Sequence, residues 1–107
     1  MVINYNELND FIVLEITGVI IKNNESKYLR EMLDALIDSG KCKIGIDLSN
    51  VHFADSELVN IISHYRSRLD LTQNGSLMII SPIDRVSKLL KVSQVDRNVE
   101  IIYKGVS

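Results

Sequence analysis

The chain has little from which to build cross-links or metal sites. Among 107 residues it has one cysteine, Cys42, and two histidines, His52 and His64. A single thiol cannot close an internal disulfide, which fits a reducing compartment. The spacing of Cys42, His52 and His64 matches no zinc pattern, so no metal is expected. Long hydrophobic runs are also missing. The apolar stretches are short, as at Leu77 to Ile80, whereas a membrane helix needs about 20 residues. The start, Met1-Val2-Ile3-Asn4-Tyr5-Asn6-Glu7, has neither the basic nor the apolar region of a signal peptide. The expected location is therefore cytoplasmic. Charge of neither sign dominates. The net value of −2 leaves no basic surplus to neutralise phosphates, and nucleic acid is not an expected partner. Gly18, Gly40, Gly45, Gly75 and Gly105 stand alone. Neither a P-loop nor a G-x-G-x-x-G turn exists, and no cofactor is expected. The one proline, Pro82, follows an apolar run and reads as a loop residue. There is no linker, repeat or low-complexity segment.

What is present is a globular composition, 46% hydrophobic and 24% charged. That suits a single domain over residues 1–107 with one modest core. Ile3 to Glu7 and Phe11 to Thr17 read as strands, with Asn9-Asp10 as the turn and Gly18 as the end. In the second strand one face is wholly apolar and the other mostly so, which predicts an internal position. Leu29, Met32, Leu33 and Leu36 then recur at helical spacing, with Ser26 as N-cap and Gly40 as stop. Ile44, Ile46 and Leu48 mark a strand, and Ser49 to Ala54 reads as a loop. Asp55-Ser56-Glu57 opens a second helix on Leu58, Ile61, Ile62, Tyr65 and Leu69, stopped at Asn74-Gly75. Leu77 to Ile80 is apolar on both faces, as a buried parallel strand is. Asp84 caps a third helix with Val86, Leu89 and Leu90, and Val99 to Tyr103 is the last strand. The order β-β-α-β-α-β-α-β predicts an α/β fold with a mixed, mostly parallel sheet and packed helices. Partners of such sheets meet the loops at the C-terminal strand ends, here Gly18 to Glu25, Ser49 to Ser56 and Ser81 to Asp84.

The stretch Ile46-Asp47-Leu48-Ser49-Asn50-Val51-His52-Phe53-Ala54-Asp55-Ser56 resembles the signature of STAS domains. That signature is a strand ending in Asp-Leu-Ser, an apolar-x-Phe step, and Asp-Ser-Ser-Gly or Asp-Ser-Thr-Gly opening a helix. Asn74-Gly75, Ser81-Pro82 and the run from Val86 to Val95 are similar to the family's second half. The resemblance implies the STAS fold. It also implies a bacterial protein-binding switch like the anti-sigma-factor antagonists, acting in signal transduction and transcription regulation and not as an enzyme. In that branch a serine-kinase anti-sigma factor phosphorylates the second hydroxyl residue of the motif. The implied partner is such a kinase or another STAS protein. The implied partner-binding residues are Asn23, Asn24, His52, Asp55, Ser56, Glu57, Ser81 and Pro82.

This chain departs from the pattern where the phosphate would go. Glu57 stands at the phosphoacceptor position and Leu58 replaces the glycine. Three readings stay open. Glu57 is a fixed mimic of phosphoserine, with one negative charge against about −1.5 to −2; or phosphorylation has moved to Ser56; or control is absent and the domain is a constitutive scaffold. On the first reading Glu57→Ser restores kinase binding, and the substitution costs little because only a surface acid at a helix start is lost. Against all three stands a plain acidic helix start. Small STAS domains also resemble accessory subunits of lipid-transport ABC systems, an alternative role that needs no phosphorylation.

Other constellations are weaker. Asp47, His52, Asp55 and Ser56 hold the residue types of a hydrolytic triad, but neighbours on one short loop rarely converge, and there is no G-x-S-x-G elbow. Arg85, Lys88 and Lys91, with Arg66 and Arg68, read as a solvated face. Tyr28 and Tyr65 read as core-edge residues. Val19-Ile20-Ile21 reads either as a short strand completing the core or as an exposed apolar patch.

Overall fold

A computed structural model describes residues 1–104. Its elements are β1 (Val2–Leu8), β2 (Phe11–Ile20), α1 (Asn24–Asp38), β3 (Lys43–Ala54), α2 (Ser56–Asp70), β4 (Ser76–Ile80), α3 (Asp84–Val92), a 3-10 turn (Val95–Arg97) and β5 (Glu100–Ile102). Five strands form one sheet in the order β1-β2-β3-β4-β5. β1 runs antiparallel to β2, and every other pairing is parallel. This is the expected mixed sheet and element order.

All three helices pack on one face. Ile12, Leu14 and Ile16 of β2, Ile44, Ile46 and Leu48 of β3, and Leu77 and Ile79 of β4 meet Leu29, Leu33, Leu58, Ile61, Ile62, Tyr65, Val86 and Leu90 in one core. The alternate residues Val13, Met78 and Ile80 form a small cluster with Phe11 on the other, helix-free face. β4 is apolar and buried on both faces, whereas β2 is so only as far as Leu14, its helix-free face then carrying Glu15 and Thr17. A polar network ties α2 to α1. The single Tyr65 hydroxyl proton is shared between the Arg30 carbonyl (3.0 Å) and Asp34 Oδ1 (2.9 Å). Arg68 forks between Asp34 and Asp38, at 2.7 Å each. Burial and the Asp34 carboxylate push the Tyr65 phenol up to about 12.

Several boundaries differ from the expectation. β2 does not end at Gly18. It bends there, with φ +123° and a register shift between Gly18 and Val19, then continues to Ile20. Ile20 is fully buried while Val19 and Ile21 are half-buried, so the core reading of that run holds for Ile20. Ser49 to Ala54 is not a loop. It extends β3, pairing Asn50–Ala54 with Thr17–Ile20 past the shift between Glu15 and Thr17. The bulges break the two-residue period that marks a strand in sequence. The N-cap of α1 is Asn23, whose Oδ1 accepts from the backbone of Glu25 (2.8 Å) and Ser26 (3.0 Å). Ser26 is the third helical residue, closing a capping box. α2 ends at Asp70, before Asn74-Gly75. Asp84 lies inside α3, behind Ile83, which offers no side-chain cap. Tyr65 is buried as expected, but Tyr28 is exposed. Gly105, one of the isolated glycines, lies outside the described residues.

Candidate functional site

The extended β2–β3 ribbon delivers the chain to the starts of α1 and α2 side by side. The Asp55 N–H donates to the Ile20 carbonyl (3.1 Å), which pins the end of β3 to the end of β2. Asp55 then caps α2, its Oδ1 accepting from the Glu57 N–H at 2.8 Å. Asn23 caps α1 in the same way. Two capped helix N-termini with their positive dipole ends thus share one end of the molecule.

Glu57 lies between them. Its side chain does not face solvent; the residue is only 6% exposed. Oε2 accepts from the Ser26 hydroxyl at 2.7 Å, and Oε1 accepts from Arg30 Nη2 at 2.9 Å. Ser26 is itself buried, and Arg30 keeps part of its guanidinium in water. The Arg30 hydrogen bond outweighs desolvation and, with Ser26 and the nearby Lys22 charge, holds the Glu57 carboxyl below the usual range. Glu57 is ionised, but its charge is neutralised inside the protein. The expectation of a surface acid is therefore wrong, and the loss of Glu57 is expected to cost more than a surface acid's would. The motif gives residue type and spacing, while burial comes from α1 crossing over the start of α2.

The outward residues here are Asn23, Asn24, His52, Phe53 and Ser56, with Asp55 half-buried. Phe53 is 43% exposed, a large apolar side chain beside the polar helix starts that sequence reasoning did not single out. Ser26 and Arg30 were missed as partners of Glu57. Their four-residue spacing places both on one face of α1, which is the signal that could have found them.

Ser81 and Pro82 do not join this group through any such bond. Ser81 adopts φ +48°, donates its N–H to the Ile102 carbonyl (2.7 Å), and accepts from the Lys104 N–H on its hydroxyl (2.7 Å). Pro82 is buried, so its side chain is not available as the partner contact expected of it. Asp47 is also spoken for. It is 2% exposed and binds the Ser49 N–H (2.9 Å), the Ser49 hydroxyl (2.7 Å) and the Lys104 ammonium. Burial opposes its ionisation, but the bonds from Lys104 and Ser49 win and lower its pKa. Among the described residues no hydrogen bond joins the side chains of Asp47, His52, Asp55 and Ser56; Asp47 binds Ser49 and Asp55 caps α2. A groove of about 300 Å3 opens on the helix-free face beside Leu8, Val13 and Asp47, and none of the expected partner-binding residues lines it.

The lowered pKa values fix a direction for acid sensitivity. A carboxyl depressed in the native state contributes stability that is complete above its unfolded value, about 4.3 for Glu. The contribution is lost as pH falls through the native value. Glu57 and Asp47 both act this way. The melting temperature is expected to fall as pH drops from about 5 to about 3. Glu57→Gln is expected to flatten part of that fall, as read by calorimetry across the range.

Among the described residues, no helix is long and apolar enough to cross a membrane. No curated protein matches the chain. Solved structures do. An anti-sigma-factor antagonist from Mycobacterium paratuberculosis superposes with TM-score 0.83 at 16% identity, covering 98% of this chain and 86% of that one. A STAS-domain protein from Planctomyces limnophilus gives TM-score 0.77 at 16% identity, over 92% of this chain and 86% of that one. The phosphorylated form of the Bacillus cell-fate determinant SpoIIAA gives 0.75 at 14% identity, over 97% and 92%. At these identities the likeness speaks for the fold alone. The family model for the STAS domain matches residues 2–107, and with that match the chain belongs to the STAS domain family.

Proposed function

We propose that this chain is a protein-binding regulatory module like the anti-sigma-factor antagonists, acting in bacterial partner switching without a phosphate at position 57. The observation that carries the reading is the inward, neutralised Glu57 beneath an outward surface of Asn24, His52, Phe53 and Ser56. Such a surface offers amide, imidazole and hydroxyl groups around one exposed aromatic anchor, a residue type enriched in interface cores. The partner is a serine-kinase anti-sigma factor or another STAS protein. The module acts by binding and not by turnover.

The fixed Glu57 also favours a second reading. A domain whose helix start is locked by an internal ion pair needs no kinase, which suits an accessory subunit clamping the ATPase of a lipid-transport ABC system. Co-purification from the native cells tests both readings, with the recovered protein identified by mass spectrometry. Ser56→Arg places a long cation on the outward surface without touching the core, and is expected to reduce partner yield at least about tenfold at unchanged melting temperature. A kinase or STAS protein as the partner supports the first reading, and an ATPase supports the second. Equal yields from wild type and Ser56→Arg, or no specific partner, refute a binding surface centred here.

A further inference from the structure

The two edges of the sheet are unlike. β5 is an edge of three residues that leads into Lys104. β1 is an edge of seven residues, paired to β2 without a register shift from Val2↔Thr17 to Leu8↔Phe11. Its outer side has no strand beside it among the described residues. Protected edges carry lysine, proline, bulges or short length. β1 has none of these, and Glu7 is its one charged residue. Val2, Tyr5 and Leu8 are 57%, 53% and 56% exposed, three large side chains on one open strand.

The even-numbered positions of β1 (Val2-Ile3-Asn4-Tyr5-Asn6-Glu7-Leu8) are self-complementary about Tyr5, while on the other face Ile3 meets Glu7 beside the Tyr5 pair. Place a two-fold axis through Tyr5, perpendicular to the sheet. In the resulting antiparallel pair, Val2 faces the second copy's Leu8, Asn4 faces its Asn6, and Tyr5 faces Tyr5. The even-numbered residues share the helix-free face, since they pair with Phe11, Val13, Glu15 and Thr17 of β2. On that face the pairs read apolar to apolar, amide to amide, amide to amide, apolar to apolar. Sliding the register by two residues sets Val2 against Asn6 or Leu8 against Asn4 and loses both Val–Leu pairs of that face. Cross-strand matching of this kind sets register. Either hydrogen-bond phase of the antiparallel ladder accommodates an axis at Tyr5. The axis keeps the helices of both copies on one side, so the product is a continuous ten-stranded sheet.

We propose that β1 is a homodimerisation edge, its occupant a second copy of this chain paired antiparallel about Tyr5. The interface leaves the starts of α1 and α2 free, so dimerisation and partner binding are compatible. A strand pair with little side-chain core is a small, transient interface.

Sedimentation equilibrium over loadings from about 10 μM to 1 mM reads the equilibrium directly. The mean mass is expected to rise from 12.1 kDa toward its double. Asn4→Lys with Asn6→Lys sets like charges opposite each other twice, as does Asn4→Glu with Asn6→Glu. Each double variant is expected to stay at the monomer mass, and an equimolar mixture of the two is expected to dimerise at least as well as wild type. A wild type that remains monomeric throughout, including one that captures a strand of some other protein instead, overturns the proposal. So does a Lys variant that dimerises normally, or a mixture that stays monomeric. Backbone amide exchange tests the same pairing without substitutions: exchange in β1 must slow with rising concentration, while exchange in β5 must not.

Discussion

Glu57→Ala is expected to destabilise the domain by about 2–4 kcal/mol, read by chemical denaturation, and to lower the melting temperature by about 10 °C or more. The substitution removes the acceptor for Arg30 and one of two for the buried Ser26 hydroxyl, whose other is the Asn23 carbonyl at 2.9 Å. It also empties space between the first turns of α1 and α2. Breaking a fully buried ion pair costs about 3–5 kcal/mol because a charge is left stranded. Arg30 is about a third exposed and can turn toward water, which lowers that figure. Glu57→Ser fares little better, since its shorter side chain reaches neither partner. Glu57→Gln keeps one acceptor oxygen for Arg30 and turns an amide N–H toward the Ser26 hydroxyl, which can accept it, and is expected to cost less than half as much. A loss below about 0.5 kcal/mol for Glu57→Ala, the usual range for surface substitutions, means the carboxylate does not tie the helices.

Gly75→Ala is expected to cost about 3 kcal/mol or more, by the same measurement. A Cβ at Gly75 would stand 2.1 Å from the Leu69 carbonyl oxygen and 2.9 Å from its carbon. No rotamer relieves that clash, because both sides are backbone. Neither side moves easily. Leu69 is fully buried at the end of α2, the Gly75 N–H is bound to the Thr72 carbonyl (2.9 Å), and the Ser76 N–H to the Cys42 carbonyl (2.9 Å). Gly40→Ala serves as the contrast. It also sits after a helix, with φ +91°, but nothing lies within 4 Å of its added Cβ. Its cost is confined to the backbone conformation, about 1 kcal/mol.

Much of this architecture is legible in the amino-acid order because the relevant forces are local. The 3/4 spacing of Leu29, Leu33 and Leu36 and the apolar run Leu77–Ile80 need no distant partner to be recognised. The extension of β3 is illegible because Ser49, Asn50 and His52 look like turn chemistry, and the bulges opposite Gly18 and Glu15 break the alternation. The cap of α1 is misplaced by three residues because Asn23 and Ser26 are both capping types. Asn23 takes the position by reaching two N–H groups, and Ser26 completes the box. Glu57 shows a deeper reason. An acid in the first turn of a helix faces water by default, and only tertiary packing, across 31 positions to Ser26 and 27 to Arg30, turns it inward. The motif marks where a site should lie. It carries no information on which of Ser56 and Glu57 the surface displays.

We propose that Glu57 serves the fold and is not sensed by a partner. Quantitative co-purification from the native cells, with wild type and Glu57→Gln side by side, measures this most directly. Removing the charge while keeping the shape is predicted to leave the identity and yield of the partner unchanged. Loss of that partner, or its exchange for another, with the variant still folded at the temperature of the assay would contradict this and restore Glu57 as a charge that the partner senses.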